Sequence, residues 1–112
     1  MTAQHLRALE LANAVRYDRA EIRRRVRAAG PDRGPVMVAA LLEDREGCEG
    51  GVVASMPVLR LLTWPVRLGP KAAVGLLRQV GVVGELRQVR QLTDRQRLAL
   101  AARLRDRCGV AA

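Results

Sequence analysis

The sequence predicts an all-α fold that opens with a long N-terminal helix. Three observations carry the all-α reading. Apolar residues recur at helical spacing along most of the 112 residues, and Gly-Pro pairs at 30–31, 34–35 and 69–70 punctuate them. The core must be aliphatic, because the only aromatics are Tyr17 and Trp64. Alternating apolar and polar residues are scarce, and only 51–54 could be extended. At this length the chain is one domain, folding as one cooperative unit.

Nothing from 2 to 29 breaks a helix, and Gly30-Pro31 then stops it. Leu11, Val15, Ile22 and Val26 share one stripe of this helix. Arg16, Arg19, Arg23 and Arg27 form a second stripe, roughly 90° around the axis. One face is therefore expected to pack while its neighbour is cationic, although a merely solvated face is the simpler alternative. Residues 31–34 read as a turn, and Pro35 then opens a short helix through Leu42. Val36, Ala39, Ala40 and Leu42 are available for packing there. Residues 43–51 are acidic and contain glycine, so an exposed loop is expected. Ser55 reads as the N-cap of a helix over 56–63, with Pro57 in the first turn. Val58, Leu59, Leu61 and Leu62 make that helix nearly apolar all round, hence central.

Residues 64–69 form a tight connection. A helix over 70–80 follows, with Ala73, Val74, Leu76, Leu77 and Val80 inward, and Gly81 ends it. A short turn of helix is expected near 86–91. The last helix starts at the N-cap Thr93, carries Asp94 in its first turn and runs to about Arg107. Leu98, Ala101, Ala102 and Leu104 would face the core.

The formal charge is +9, and nineteen of the twenty basic residues are arginine. Charge of that size favours polyanions such as nucleic acid or an acidic membrane face. Arginine coloured by a GC-rich genome is the bland alternative. The charge is unevenly spread: residues 1–30 carry +4, 31–50 carry −3 and 51–112 carry +8. A basic arm and a basic C-terminal half flank an acidic insert.

Several function classes have little support. Cys48 and Cys108 stand in unlike contexts, no CxxC exists, and the only histidine is His5, near the N-terminus. A structural zinc needs about four ligands, so no metal and no cofactor are expected. Glu43, Asp44, Glu46 and Glu49 crowd one solvent-facing stretch, and Cys48 has no partner histidine. No enzyme is expected. There is no signal peptide or apolar run near membrane-span length, so a cytoplasmic protein with free thiols and no membrane partner is the expectation.

Residues 60–90 hold six basic residues against one acid, Glu85. Within them, Leu68-Gly69-Pro70-Lys71-Ala72-Ala73 opens a helix. The backbone N–H groups of Lys71, Ala72 and Ala73 would be unpaired at its N-terminus and aimed at a phosphate. Gly69 lets a nucleic-acid strand approach, Pro70 sets the first turn and Lys71 adds a charge. Alone, Gly-Pro-Lys is also an ordinary helix start.

The order of segments resembles the actinobacterial type of integration host factor, a small helical nucleoid-associated protein. The resemblance spans roughly residues 4–105. It rests on Ala8-Leu9-Glu10 and Arg19-Ala20-Glu21-Ile22-Arg23-Arg24-Arg25-Val26 in the arm. It continues through Val52-Val53-Ala54-Ser55-Met56-Pro57-Val58, Leu61-Leu62 and Leu68-Gly69-Pro70-Lys71-Ala72-Ala73. Leu77-Arg78-Gln79-Val80-Gly81-Val82, Arg87-Gln88-Val89-Arg90-Gln91-Leu92 and Arg95-Gln96-Arg97-Leu98-Ala99-Leu100 complete it.

The resemblance implies a long N-terminal basic helix, over 1–30, packed on a small helix–two-turns–helix domain. It also implies a helical DNA-binding domain over 31–112, with the helix–two-turns–helix at roughly 56–81. It implies a monomer that binds and bends duplex DNA with little sequence preference, in the nucleoid. A recombinase or other nucleoid proteins would be further partners. The DNA-binding residues would be Arg67, Gly69, Pro70, Lys71 and Ala72 in the turn, Arg87 and Arg90 beyond it, and Arg23, Arg24 and Arg27 in the arm.

The chain departs from the family's Pro-Gly-Val-Gly-Lys turn. Arg67 replaces the first glycine, as a substitute donor, and the proline comes one position early at Pro65. Ser55 replaces a basic residue, one residue is inserted around Val83-Gly84, and the acidic stretch 43–49 is unusual. These mark a divergent or phage-borne member. The rival reading is a protein-interaction module, or an antagonist of a host nucleoid factor.

Overall fold

The computed structural model describes residues 2–84 and 87–107. Helix α1 spans Ala3–Ala28, and the Thr2 side chain caps it by accepting from the His5 amide. At 1.5 Å per residue α1 is about 39 Å long, longer than the 29 Å and 24 Å of the molecule's two shorter extents. Only its C-terminal half therefore has something to pack on. Val26 is fully buried and Ile22 lies against the core, but Leu6, Leu9 and Leu11 are exposed. The expected apolar stripe thus packs at Ile22 and Val26 and not at Leu11.

Helix α2, Gly30–Glu43, begins earlier than the sequence suggests. The reversal is confined to Ala29 and Gly30, whose φ of 84° suits glycine. Pro31 occupies the first turn, where no amide is needed, so the expected turn at 31–34 is helical. A Cβ on Gly34 would stand 3.0 Å from the Val26 carbonyl oxygen and 3.4 Å from Pro65 Cβ. At Gly34, α1, α2 and the later turn meet. α2 is central, packing mainly against α6 and also α1.

The expected loop at 43–51 contains a short helix, α3, Arg45–Gly50. Its anchor is Cys48, which is buried and donates its S–H to the Leu41 carbonyl at 3.2 Å. Burial pushes the Cys48 thiol up. Arg45 pairs with Glu49 at 3.0 Å on the outer face. Cys108 lies outside the described residues. Residues 51–55 form turns and no extended segment, with Val53 and Ala54 buried.

Helix α4, Val58–Leu62, is capped by Pro57 and not by Ser55. Ser55 accepts a hydrogen bond from Arg19 instead. Two turns lead to α5, Pro70–Gln79, giving the helix–two-turns–helix. Gly81 ends α5 at φ 78°. The Val82 amide donates to the Leu77 carbonyl at 2.9 Å and the Gly81 amide to that of Arg78 at 3.2 Å, a Schellman cap. The chain then returns to the start of α4. Val58 donates to Arg87, Val89 to Met56 and Arg90 to Ala54, at 2.9, 3.0 and 2.9 Å. A 3₁₀ turn, Val89–Gln91, follows; Leu86, the first residue of the expected turn, lies outside the described residues.

Helix α6, Asp94–Arg107, starts as expected. Thr93 and Gln96 cap each other reciprocally at 3.1 Å in both directions. Its inward face differs from the expected one. Arg97, Leu100, Ala101 and Leu104 are buried, while Leu98 and Ala102 are exposed. The register turns because the Arg97 guanidinium is satisfied inside, donating to the Leu42 carbonyl and meeting Asp94 at 3.3 Å. The core runs through Leu42, Leu61, Leu62, Leu100 and Leu104. Among the described residues, no helix is long and apolar enough to cross a membrane.

Candidate nucleic-acid interface

The connection between α4 and α5 is held by its apolar residues. Trp64, Pro65 and Leu68 are buried, and Leu68 donates to the Pro65 carbonyl at 3.3 Å. Arg67 and Gly69 are left exposed between and beyond them. Gly69 caps α5, Pro70 follows in the first turn and Lys71 is exposed. The Lys71 and Ala72 amides have no partner among the described residues. Ala73, expected to offer a third, instead donates to the Gly69 carbonyl at 3.0 Å. This tip therefore offers two unpartnered amides and one exposed ammonium.

The special backbone position is one residue pair upstream of where the motif suggests. Gly69 has φ −82°, and a Cβ there would meet nothing within 4 Å. Arg67 has φ 69°, the only described non-glycine residue in the left-handed region. That conformation costs an L-residue roughly 1–2 kcal/mol, partly offset for glycine by its looser unfolded chain. Arg67→Gly is thus expected to stabilise the fold by up to about 1 kcal/mol, read by denaturant unfolding, while Gly69→Ala stays near neutral. A destabilised Arg67→Gly protein would contradict the turn geometry.

Two of the four arginines in the α1 stripe, Arg19 and Arg27, bond back onto the fold, while Arg16 and Arg23 stay exposed. Arg19 is half-buried, its Nε donating to the Val52 carbonyl and its Nη2 to Ser55 Oγ, both at 2.7 Å. Burial, and then the nearby Arg60 charge, hold its guanidinium below the ordinary value. Arg27 reaches the Trp64 carbonyl at 3.4 Å. These bonds staple the arm to the approach of α4 and to the turn. Between α1 and α4 lies a cleft walled by Arg16, Arg19, Ala20 and Arg23 on one side and Met56, Arg60 and Trp64 on the other. Arg24, expected in the interface, pairs with Glu21, as does Arg25 at 3.3 Å.

Arg87 and Arg90 are exposed on the segment bonded to 54–58. That places their backbone beside the stretch Arg19 grips, whereas Lys71 opens α5 at the far side of the two turns. Neither side chain forms a hydrogen bond or ion pair among the described residues, and the same holds for Arg23, Arg60, Arg67, Lys71 and Arg78. Sequence reasoning did not single out Arg60 as a site residue. Its signal was there: it is the sole charge in an otherwise apolar helix, which fixes it on the solvent side. Comparison with protein-family models, curated proteins and solved structures gives no match.

Proposed function

We propose that the protein binds double-stranded DNA with little sequence preference and bends it by contacts to the phosphate backbone. In this reading it is a nucleoid-associated, integration-host-factor-like monomer, as the resemblance of its segments implies. One observation supports it above the rest. All six basic side chains of 60–90 are exposed and none is ion-paired among the described residues. The described acids that do pair are Glu21, Glu43, Glu49 and Asp94, all outside that stretch. A surface whose cations are not ion-paired binds polyanions by releasing their condensed counterions. Unpartnered amides at the start of α5 add phosphate donors that carry no sequence information.

The test is a mobility shift on several unrelated duplexes over a range of salt concentrations. With roughly six phosphates neutralised, log K is expected to fall against log salt with a slope of about −5 to −6, alike for every sequence. No shift at low salt on any duplex would remove DNA binding and leave the protein-interaction reading.

A further inference from the structure

The cleft between α1 and α4 is electrostatically unfinished. Arg16, Arg19 and Arg23 stand three and four residues apart on one face of α1, and Arg60 faces them from α4. Among the described residues no acid lines the cleft. Arg19 is held by Val52 and Ser55, which fixes the wall and aligns its neighbours. Arg16, Arg23 and Arg60 have no hydrogen-bond or ion-pair partner among the described residues. Like charges gathered in a partly desolvated cleft repel one another, and an anion relieves that cost. The cations are all guanidinium, whose planar fork matches phosphate oxygens in pairs. At about 290 Å³ the cleft is at the small end of ligand sites. Trp64, 4% exposed, offers a wall and no stacking face for a base.

We propose that this cleft seats a phosphoryl oxyanion, held by Arg16 and Arg23 from the arm and by Arg60 from α4. The phosphoryl group can come from a duplex backbone or from a free phosphate ester; the chemistry of capture is shared. Occupancy from a backbone would make the arm and the helix–two-turns–helix a single grip.

Trp64 is the only tryptophan and lines the cleft, so it reports on it. Inorganic pyrophosphate and a short duplex are titrated separately into the full chain, followed by Trp64 emission and by calorimetry. The expected result is saturable binding of at least one probe, weakened about tenfold or more by Arg60→Gln and by Arg23→Gln. Arg60→Lys restores part of it, and Arg95→Gln, which removes an exposed cation on α6 outside both the cleft and the 60–90 stretch, does not weaken it comparably. Arg60 and Arg23 are exposed, and thermal unfolding of each variant confirms the fold. Arg60-dependent binding of pyrophosphate alone identifies a free phosphate ester, and displacement of pyrophosphate by the duplex identifies the backbone; either supports the seat. No saturable signal from either probe, or equal weakening by Arg95→Gln, overturns it. Mobility shifts on the same variants keep the two readings apart. Duplex binding that survives without a cleft signal overturns the seat alone. A cleft signal for pyrophosphate without any duplex binding removes only the DNA reading.

Discussion

Arg97→Ala is expected to destabilise the protein by about 3 kcal/mol and to lower Tm by on the order of 10 °C. Arg97 is 5% exposed, and its guanidinium donates to the carbonyl of Leu42 in the last turn of α2. The final carbonyls of a helix have no partner inside it, and a cation at that end also meets the negative pole of the helix dipole. Alanine would leave the Leu42 carbonyl with only the weak Cys48 thiol donor at 3.7 Å. An orphaned buried acceptor costs about 1–3 kcal/mol. The buried aliphatic stem adds lost packing between α6 and α2, the main helix pair of the fold. Removing the desolvated charge returns part of this, which is why the estimate stays near 3 kcal/mol. Asp94, the other partner, has a side chain 61% exposed, so Asp94→Asn should cost less than about 1 kcal/mol. Chemical denaturation of both variants measures the difference. Equal small effects would mean that Arg97 does not close the end of α2.

Arg97 also shows where the sequence was silent. An arginine among polar neighbours reads as solvent-facing, and nothing local announces that a helix end from 55 residues earlier awaits it. The expected core face of α6 went astray for that reason, choosing Leu98 and Ala102 over Arg97 and Leu100. α3 was hidden in the same way: five of the seven residues 43–49 are charged, and only the burial of Cys48 makes a helix of them. Ser55 was read as a cap because the competing donor, Arg19, lies 36 residues away. By contrast α5 was legible at both ends, because Gly69-Pro70 and Gly81 act through their own backbone. Thr93 with Gln96 was legible for the same reason. In the candidate interface, the exposure of Arg67, Lys71, Arg87 and Arg90 followed from the sequence. The binding of the arm to the turn did not, since it depends on long-range hydrogen bonds from Arg19 and Arg27.

Replacing Arg67, Lys71, Arg87 and Arg90 together by glutamine is expected to reduce duplex affinity by roughly a thousandfold. The estimate takes about 1 kcal/mol for each exposed, charge-assisted phosphate contact. The salt slope should flatten by about 3 to 4, since each lost phosphate contact removes about 0.9. Stability should change little, because all four side chains are exposed and unpaired among the described residues. The matched control replaces Arg24, Arg25, Arg45 and Arg105, which remove the same formal charge but are ion-paired with Glu21, Glu49 and Glu43. A cation already neutralised by a neighbour releases few counterions when it meets a phosphate, so this control should lose less than about tenfold. It would also remove Arg24 from the interface that the resemblance implies. Salt-dependent mobility shifts on one duplex compare the two fourfold variants directly. Equal losses would mean that affinity follows net charge alone and that no face of the protein is specialised for the duplex.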